Sequence, residues 1–398
     1  MIIEKTATRN WLVGSLIAAL TSLGAHAQSQ SPIKIGFVST LSGPSGVLGQ
    51  EVSDGFKLAL KKSNGLLGGR VVQVTYGDDK GAPDVGRQLV DKMVESDGVQ
   101  IVTGFVFSNV LLAVSKPILD SGAFIISPVA GPSQLAGKQC HPHFFSVAWQ
   151  NDTITESIAV EMAKQKVPNT YFMAPNYPGG RDQLAGLKRY YKGDITEVFT
   201  SFGQLDYSAE IAALRAKNPA SVLFFYPGGM GINFVKQFAQ AGLQSKIPLY
   251  TSANTIDQTA LPAIGDAALG LSSSALWSEG FDNAASKEFT AEFEKEYKRV
   301  PSGFAATAYD AARILDATLT SIHGNIEDKK AFRTAMESAK FESVRGRFKF
   351  NSNHFPIQNF YLTKVEKNAK GEVVAAVKGL IDEDHTDAYV GECKMAAE

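Results

Sequence analysis

The chain has 398 residues, 44% of them hydrophobic, with 39 Lys and Arg against 40 Asp and Glu. A net charge of −1 leaves no basic surface that would recruit nucleic acid. The length exceeds what one hydrophobic core usually supports, so two lobes are expected.

Lys5 and Arg9 precede an apolar run from Trp11 to Leu23, and Ala25-His26-Ala27 follows as an A-x-A site. This pattern reads as a secretory leader, residues 1–27, cleaved near Ala27. The run falls short of the roughly 20 residues that span a bilayer. The rest of the chain is therefore expected outside the cytoplasm. In an oxidising compartment the two cysteines, Cys140 and Cys393, form a disulfide candidate that would tie down the C-terminal tail. Two separate buried thiols are the alternative. Two cysteines supply too few ligands for a metal site, and neither CxxC nor HExxH occurs.

Short apolar runs then alternate with amphipathic segments. IKIGFV (33–38) is followed by a helix near 49–63, VVQVTY (71–76), a helix near 83–96, IVTGF, a helix over 108–120, and AFIIS. A second series comprises TYFMA (170–174), a helix after Gly179, ITEVF (195–199), a helix near 207–217, SVLFFY (221–226), a helix near 230–241 and IPLYTS (247–252). Strand and helix in alternation predict a mostly parallel sheet, so the fold class is α/β with two doubly wound lobes. Beyond Leu276 come two helices, 287–299 and 304–322, broken apart at Pro301 and Gly303, and then the strand-like runs RFKF, IQNFYLTKV and VVAAVKGLI.

The stretch from Val99 to Gly131 sets two buried-strand runs on either side of a helix and ends them in Ser108-Asn109 and Val129-Ala130-Gly131. In open α/β sheets ligands collect at the carboxyl ends of the strands, so these ends are candidates for a cleft. No GxSxG elbow, P-loop or metal constellation is present, and the six histidines (26, 141, 143, 323, 354 and 385) are scattered. No catalytic residue, cofactor or metal is expected, which weighs against an enzyme.

Four stretches, IGFVSTLSGPSGVLGQEVSDGFKLALKKSNGLLGGR, GAFIISPVAGPSQL, YFMAPNYPGGRDQLAGLKR and GFAATAYDAARILDATL, resemble the branched-chain amino-acid (leucine/isoleucine/valine-binding) type of periplasmic substrate-binding protein of ABC transporters. The resemblance covers nearly the whole exported chain. It implies a type I periplasmic binding protein fold, two Rossmann-like lobes joined by a three-stranded hinge. The implied crossings fall near Trp149, Leu276 and Asn351, placing 28–148 and 277–350 in the N-terminal lobe and 149–276 and 351–398 in the C-terminal lobe. It further implies a periplasmic monomer that delivers a small molecule to a membrane permease. A ligand sensor that touches a receptor instead of a permease would look the same.

The family's ligand positions fall on Leu48, Ser108, Asn109, Val129, Ala130 and Gly131 in the first lobe, and on Tyr177, Tyr226 and the loop around Asn254 in the second. A hydroxyl, an amide and backbone N–H groups at a helix start suit a carboxylate, because all of them donate. Members that bind amino acids place a threonine-type hydroxyl after the SP-small-small turn and an acid in the second-lobe loop, both facing the ammonium. Here those positions hold Gly131 and Ala253-Asn254. Burying an ammonium without a carboxylate partner is costly. With Leu48, Phe107, Tyr177, Tyr226 and Trp149 nearby, the pattern resembles the branch that binds aromatic acids, benzoate-like or phenylpropenoid. The alternative ligand is a branched-chain amino acid whose ammonium is met elsewhere.

Overall fold

A computed structural model describes residues 1–2, 31–253 and 255–395. Apart from its first two residues, the expected leader with its cleavage point lies outside the described residues, as does Asn254. The described residues from Pro32 onward form one compact unit. No described helix is long and apolar enough to cross a membrane.

Two sheets organise this unit. The first contains β1 (Ile33–Ser39), β2 (Leu66–Leu67), β3 (Arg70–Asp78), β4 (Ile101–Thr103), β5 (Phe124–Ser127) and β6 (Phe144–Ser146), in the order β2-β3-β1-β4-β5-β6. All its pairings except β2–β3 are parallel. The second contains β7 (Asn169–Pro175), β8 (Asp194–Thr200), β9 (Val222–Phe224), β10 (Leu249–Thr251), β11 (Ser272–Ala275), β12 (Lys349–Phe350), β13 (Pro356–Lys367) and β14 (Val373–His385). Its order is β12-β13-β11-β10-β9-β7-β8, with β14 also paired to β13. β7 to β11 are parallel and the last three strands antiparallel, which is the mixed α/β fold expected.

β1 is buried at every residue but Lys34, because helices cover both faces of a parallel sheet. The long helix Gly303–Ser321 starts under a Ser302 cap and packs across Gly46–Lys62 so closely that a Cβ on Gly55 would lie 2.1 Å from the Ala305 carbonyl oxygen. The helix expected near 83–96 is α-helical over Pro83–Asp91 and continues as a wider π turn over Lys92–Asp97. Among the elements with no counterpart in the sequence reading are β6, β11 and the helices Thr153–Lys164 and Lys329–Glu337.

One apolar cluster runs from the first sheet through the cleft to Tyr177, Phe225 and Ala253, while a separate cluster fills the far side of the second sheet. The lobes meet along the cleft: the Gly229 N–H donates to the Pro44 carbonyl (3.1 Å), and the Gly303 N–H to Asp257 Oδ2 (3.2 Å).

Cys140 and Cys393 are bonded, with Cα atoms 5.6 Å apart and 253 residues between them in sequence. Cross-linking so distant a pair constrains the unfolded chain, typically by about 2–4 kcal/mol. A Cys140→Ser, Cys393→Ser protein is expected to lose that much in urea denaturation monitored by circular dichroism. An unchanged midpoint would show that the tail is held by its polar contacts alone.

Candidate functional site

The carboxyl ends of β4 and β5 supply the first-lobe wall. After β4 the chain runs through Phe105 and Val106 into the helix Ser108–Asp120, whose N-cap is Phe107 in extended conformation, with no side-chain cap bond. Ser108 is therefore the first helical residue, not the cap. The N–H groups of the first turn lack an intrahelical partner in any α-helix, and here no side chain takes them up. After β5 the Ser127 hydroxyl donates to the Ala130 carbonyl (2.6 Å), folding Pro128-Val129-Ala130 into a turn at the cleft.

Leu48, Val106, Phe107, Ser108, Val129 and Ala130 face Trp149, Asn151, Ile154, Tyr177, Phe225, Pro227, Ala253 and Phe304 around a partly open cleft. Of the residues expected from sequence, Leu48, Phe107, Ser108, Val129, Ala130, Tyr177 and Trp149 come together here. Tyr177 stands edge-on to Phe107 (centroids 6.1 Å, 80°) and nearly parallel to Phe225 (6.4 Å, 11°).

Three expected residues are placed otherwise. Tyr226 is fully buried in the second-lobe core against Tyr207 and Phe234, and its hydroxyl bonds Thr200 (3.1 Å). Successive side chains leave a strand on opposite faces, so in the run Phe224-Phe225-Tyr226 the middle residue reaches the cleft. Asn109 turns away, donating to the Gly81 carbonyl (3.2 Å). The Gly131 N–H, expected to donate to a ligand, donates instead to Asn151 Oδ1 (3.1 Å), and the Gly131 carbonyl accepts from the Asn151 N–H (2.8 Å).

Asn151 was missed, and so was Asp182. The Asn151 amide nitrogen donates to Ser108 Oγ (2.9 Å) and to Asp182 Oδ2 (2.9 Å). Asp182, on the helix Pro178–Tyr190, also accepts from the backbone N–H (3.1 Å) and hydroxyl (2.8 Å) of Ser133 across the cleft. Burial raises the Asp182 carboxyl above its ordinary range, and the bonds from Asn151 and Ser133 pull it back down. Burial likewise raises the Tyr177 phenol, with Asp182 adding to the shift. No motif singles out the asparagine of Trp149-Gln150-Asn151-Asp152, since its role is set by partners far away in sequence.

The chemistry of the space follows. Its described lining holds no Asp, Glu, Lys or Arg; the lining side chains with polar atoms are Ser108, Asn151, Tyr177 and Trp149. Among the described residues no group of three or more His, Cys, Asp and Glu is placed to hold a metal ion. An anion placed against the first turn of Ser108–Asp120 would complete its missing cap and meet the positive end of the helix dipole. An ammonium would find no carboxylate.

The family model described as periplasmic binding protein matches residues 32–372. A Leu/Ile/Val-binding protein homolog of Brucella melitensis is 25% identical over 366 residues, covering 89% of this chain and 92% of that protein. Among solved structures, a solute-binding protein of an ABC transporter from R. palustris in complex with benzoate is 28% identical, with a TM-score of 0.86, covering 92% of this chain and all of that one. Another from Rhodopseudomonas palustris, in complex with 3,4-dihydroxybenzoic acid, is 26% identical (TM-score 0.84; 90% and 99% covered). A leucine-binding protein from Thermotoga maritima, 17% identical with a TM-score of 0.78, covering 88% of this chain and 99% of that one, shares the fold.

Proposed function

We propose, from the premise that the chain belongs to the periplasmic binding protein family, that it captures a small aromatic carboxylate between its lobes in the periplasm and delivers it, as a monomer, to an ABC importer's permease. The observation that carries this reading is the lining itself: aromatic and aliphatic walls, one uncapped helix N-terminus with the Ser108 hydroxyl, and no acid for an ammonium. The benzoate and dihydroxybenzoate complexes of the two Rhodopseudomonas proteins support it. Ligand contacts are assigned to Ser108, Tyr177, Phe107, Leu48, Val129, Ala130 and Phe225, with the carboxylate at the Ser108 end. Lobe crossings are assigned near Trp149, Leu276 and Asn351.

The name of the Brucella relative favours a second reading, a branched-chain amino acid. A buried hydrogen-bonding mismatch is worth about 1–3 kcal/mol and an unpaired charge more, so benzoate is expected to bind at least tenfold more tightly than leucine. Calorimetry on ligand-stripped protein with benzoate, 4-hydroxybenzoate, phenylalanine and leucine measures this. Tight leucine binding without heat from either benzoate would replace the aromatic reading with the amino-acid one.

A further inference from the structure

We propose that Asn151 acts as a positioning residue that makes Ser108 an obligatory hydrogen-bond donor, so that the site selects its ligand's head group by hydrogen-bond polarity. The proposal rests on the carboxylate reading above and adds the device that enforces it.

A side-chain amide can be turned two ways, and two independent neighbours decide which way Asn151 lies. The Gly131 N–H needs an oxygen opposite it and finds Oδ1 at 3.1 Å. The Asp182 carboxylate needs a donor and finds Nδ2 at 2.9 Å. The second Nδ2 hydrogen then points at Ser108 Oγ, also at 2.9 Å. All of the amide's hydrogens are thereby used, and Ser108 Oγ can only accept in that contact. A serine hydroxyl has one proton, and among the described residues the Ser108 hydroxyl donates it in no hydrogen bond. Ser108 lines the cleft, so the proton is left for whatever fills the space.

Together with the unpaired first-turn N–H groups, this makes the polar end of the cleft donating throughout. A carboxylate, which only accepts, satisfies every group. A carboxamide of the same shape must aim N–H at a donor, and an ammonium has nothing to give its protons to. The Asp182 carboxylate never meets the ligand; it helps hold the amide that sets the serine.

A double-mutant cycle tests this, with benzoate and benzamide as probes in calorimetry on ligand-stripped protein. The wild type is expected to prefer benzoate by about 100-fold or more. Asn151→Ala frees the Ser108 hydroxyl to rotate and accept, and the preference is expected to fall at least tenfold. Ser108→Ala is expected to lose a similar part of it. Because Asn151 acts through Ser108, the double variant should match Ser108→Ala within twofold, whereas independent sites would add. Additive losses, or an Asn151→Ala protein with the wild-type preference, would overturn the proposal. If Asn151→Ala does not fold, Asn151→Ser serves in the same cycle, since its short side chain leaves Ser108 without the donor.

The outcome for the ligand class is read separately. If the wild type takes leucine and not benzoate, the aromatic reading fails, and the same cycle run with leucine, whose carboxylate needs the same donors, still decides the role of Asn151. A wild type that takes neither carboxylate overturns both.

Discussion

Replacing Arg345 by methionine is expected to cost about 3–5 kcal/mol of stability, because it leaves a buried carboxylate without its partner. The Arg345 guanidinium and the Asp310 carboxylate are both almost fully enclosed, and Nε donates to Oδ2 at 2.9 Å. The remaining donors reach the carbonyls of Val147 (2.7 Å) and Ala148 (3.1 Å) and the Gln358 side chain (2.8 Å). One side chain thus joins the segment beside Trp149, the segment leading to β12, the start of β13 and the helix Gly303–Ser321. The methionine stem can refill the space but leaves the Val147 carbonyl and Asp310 short of donors, although the Gln358 amide still bonds the Ala148 carbonyl and the Ser343 hydroxyl and the Val344 N–H still bond the acid. Urea denaturation of the two proteins measures the difference. A loss below about 1 kcal/mol would mean that these contacts are replaced by water and that the guanidinium does not hold these segments together. A paired Arg345→Met, Asp310→Leu change should recover part of the loss, since a buried ion pair replaced as a unit is often close to neutral.

Gly131→Ala is expected to remove most ligand affinity, thirtyfold or more for benzoate, with a smaller loss of stability. A Cβ at this position would stand 1.9 Å from the Trp149 carbonyl oxygen, and that atom belongs to backbone that cannot swing aside as a side chain would. Trp149 and Asn151 would have to retreat, breaking the reciprocal 3.1 and 2.8 Å bonds between residues 131 and 151. Both retreating residues line the cleft, so the displacement falls on the binding site. Overpacking of this kind costs about 1–3 kcal/mol in the fold. Calorimetry with benzoate, beside thermal melting, separates the two effects. Wild-type affinity in a protein that melts earlier would show that the close approach of 131 to 149 serves packing alone.

Periodicity was enough to place most strands and helices, because a buried parallel strand and an amphipathic helix each write their burial into consecutive residues. IKIGFV and TYFMA became β1 and β7, and the segment expected over 108–120 is a helix with those bounds. Several of the missed elements carry no such signal. β11 is Ser-Ser-Ser-Ala, a strand without an apolar run, buried because its hydroxyls find partners such as Ser157, Ser252 and Ile154. β6 has three residues, and the helix Lys329–Glu337 buries only Phe332 and Met336.

The sequence by itself determined the α/β class, the two βα series and the first-lobe edge of the cleft, since strand ends and the helix start at Ser108 are local features, and it offered Cys140 and Cys393 as a disulfide candidate that the fold then joined. Tertiary structure alone decided which face of Phe224-Phe225-Tyr226 looks into the cleft, because pleating fixes alternation but not its phase until the strand is docked. It also decided that the donor at Gly131 is spent on Asn151. The hydrogen bonds that orient Ser108 join residues 108, 131, 151 and 182, and directed bonds between groups so far apart in the chain exist only once the fold has brought them together.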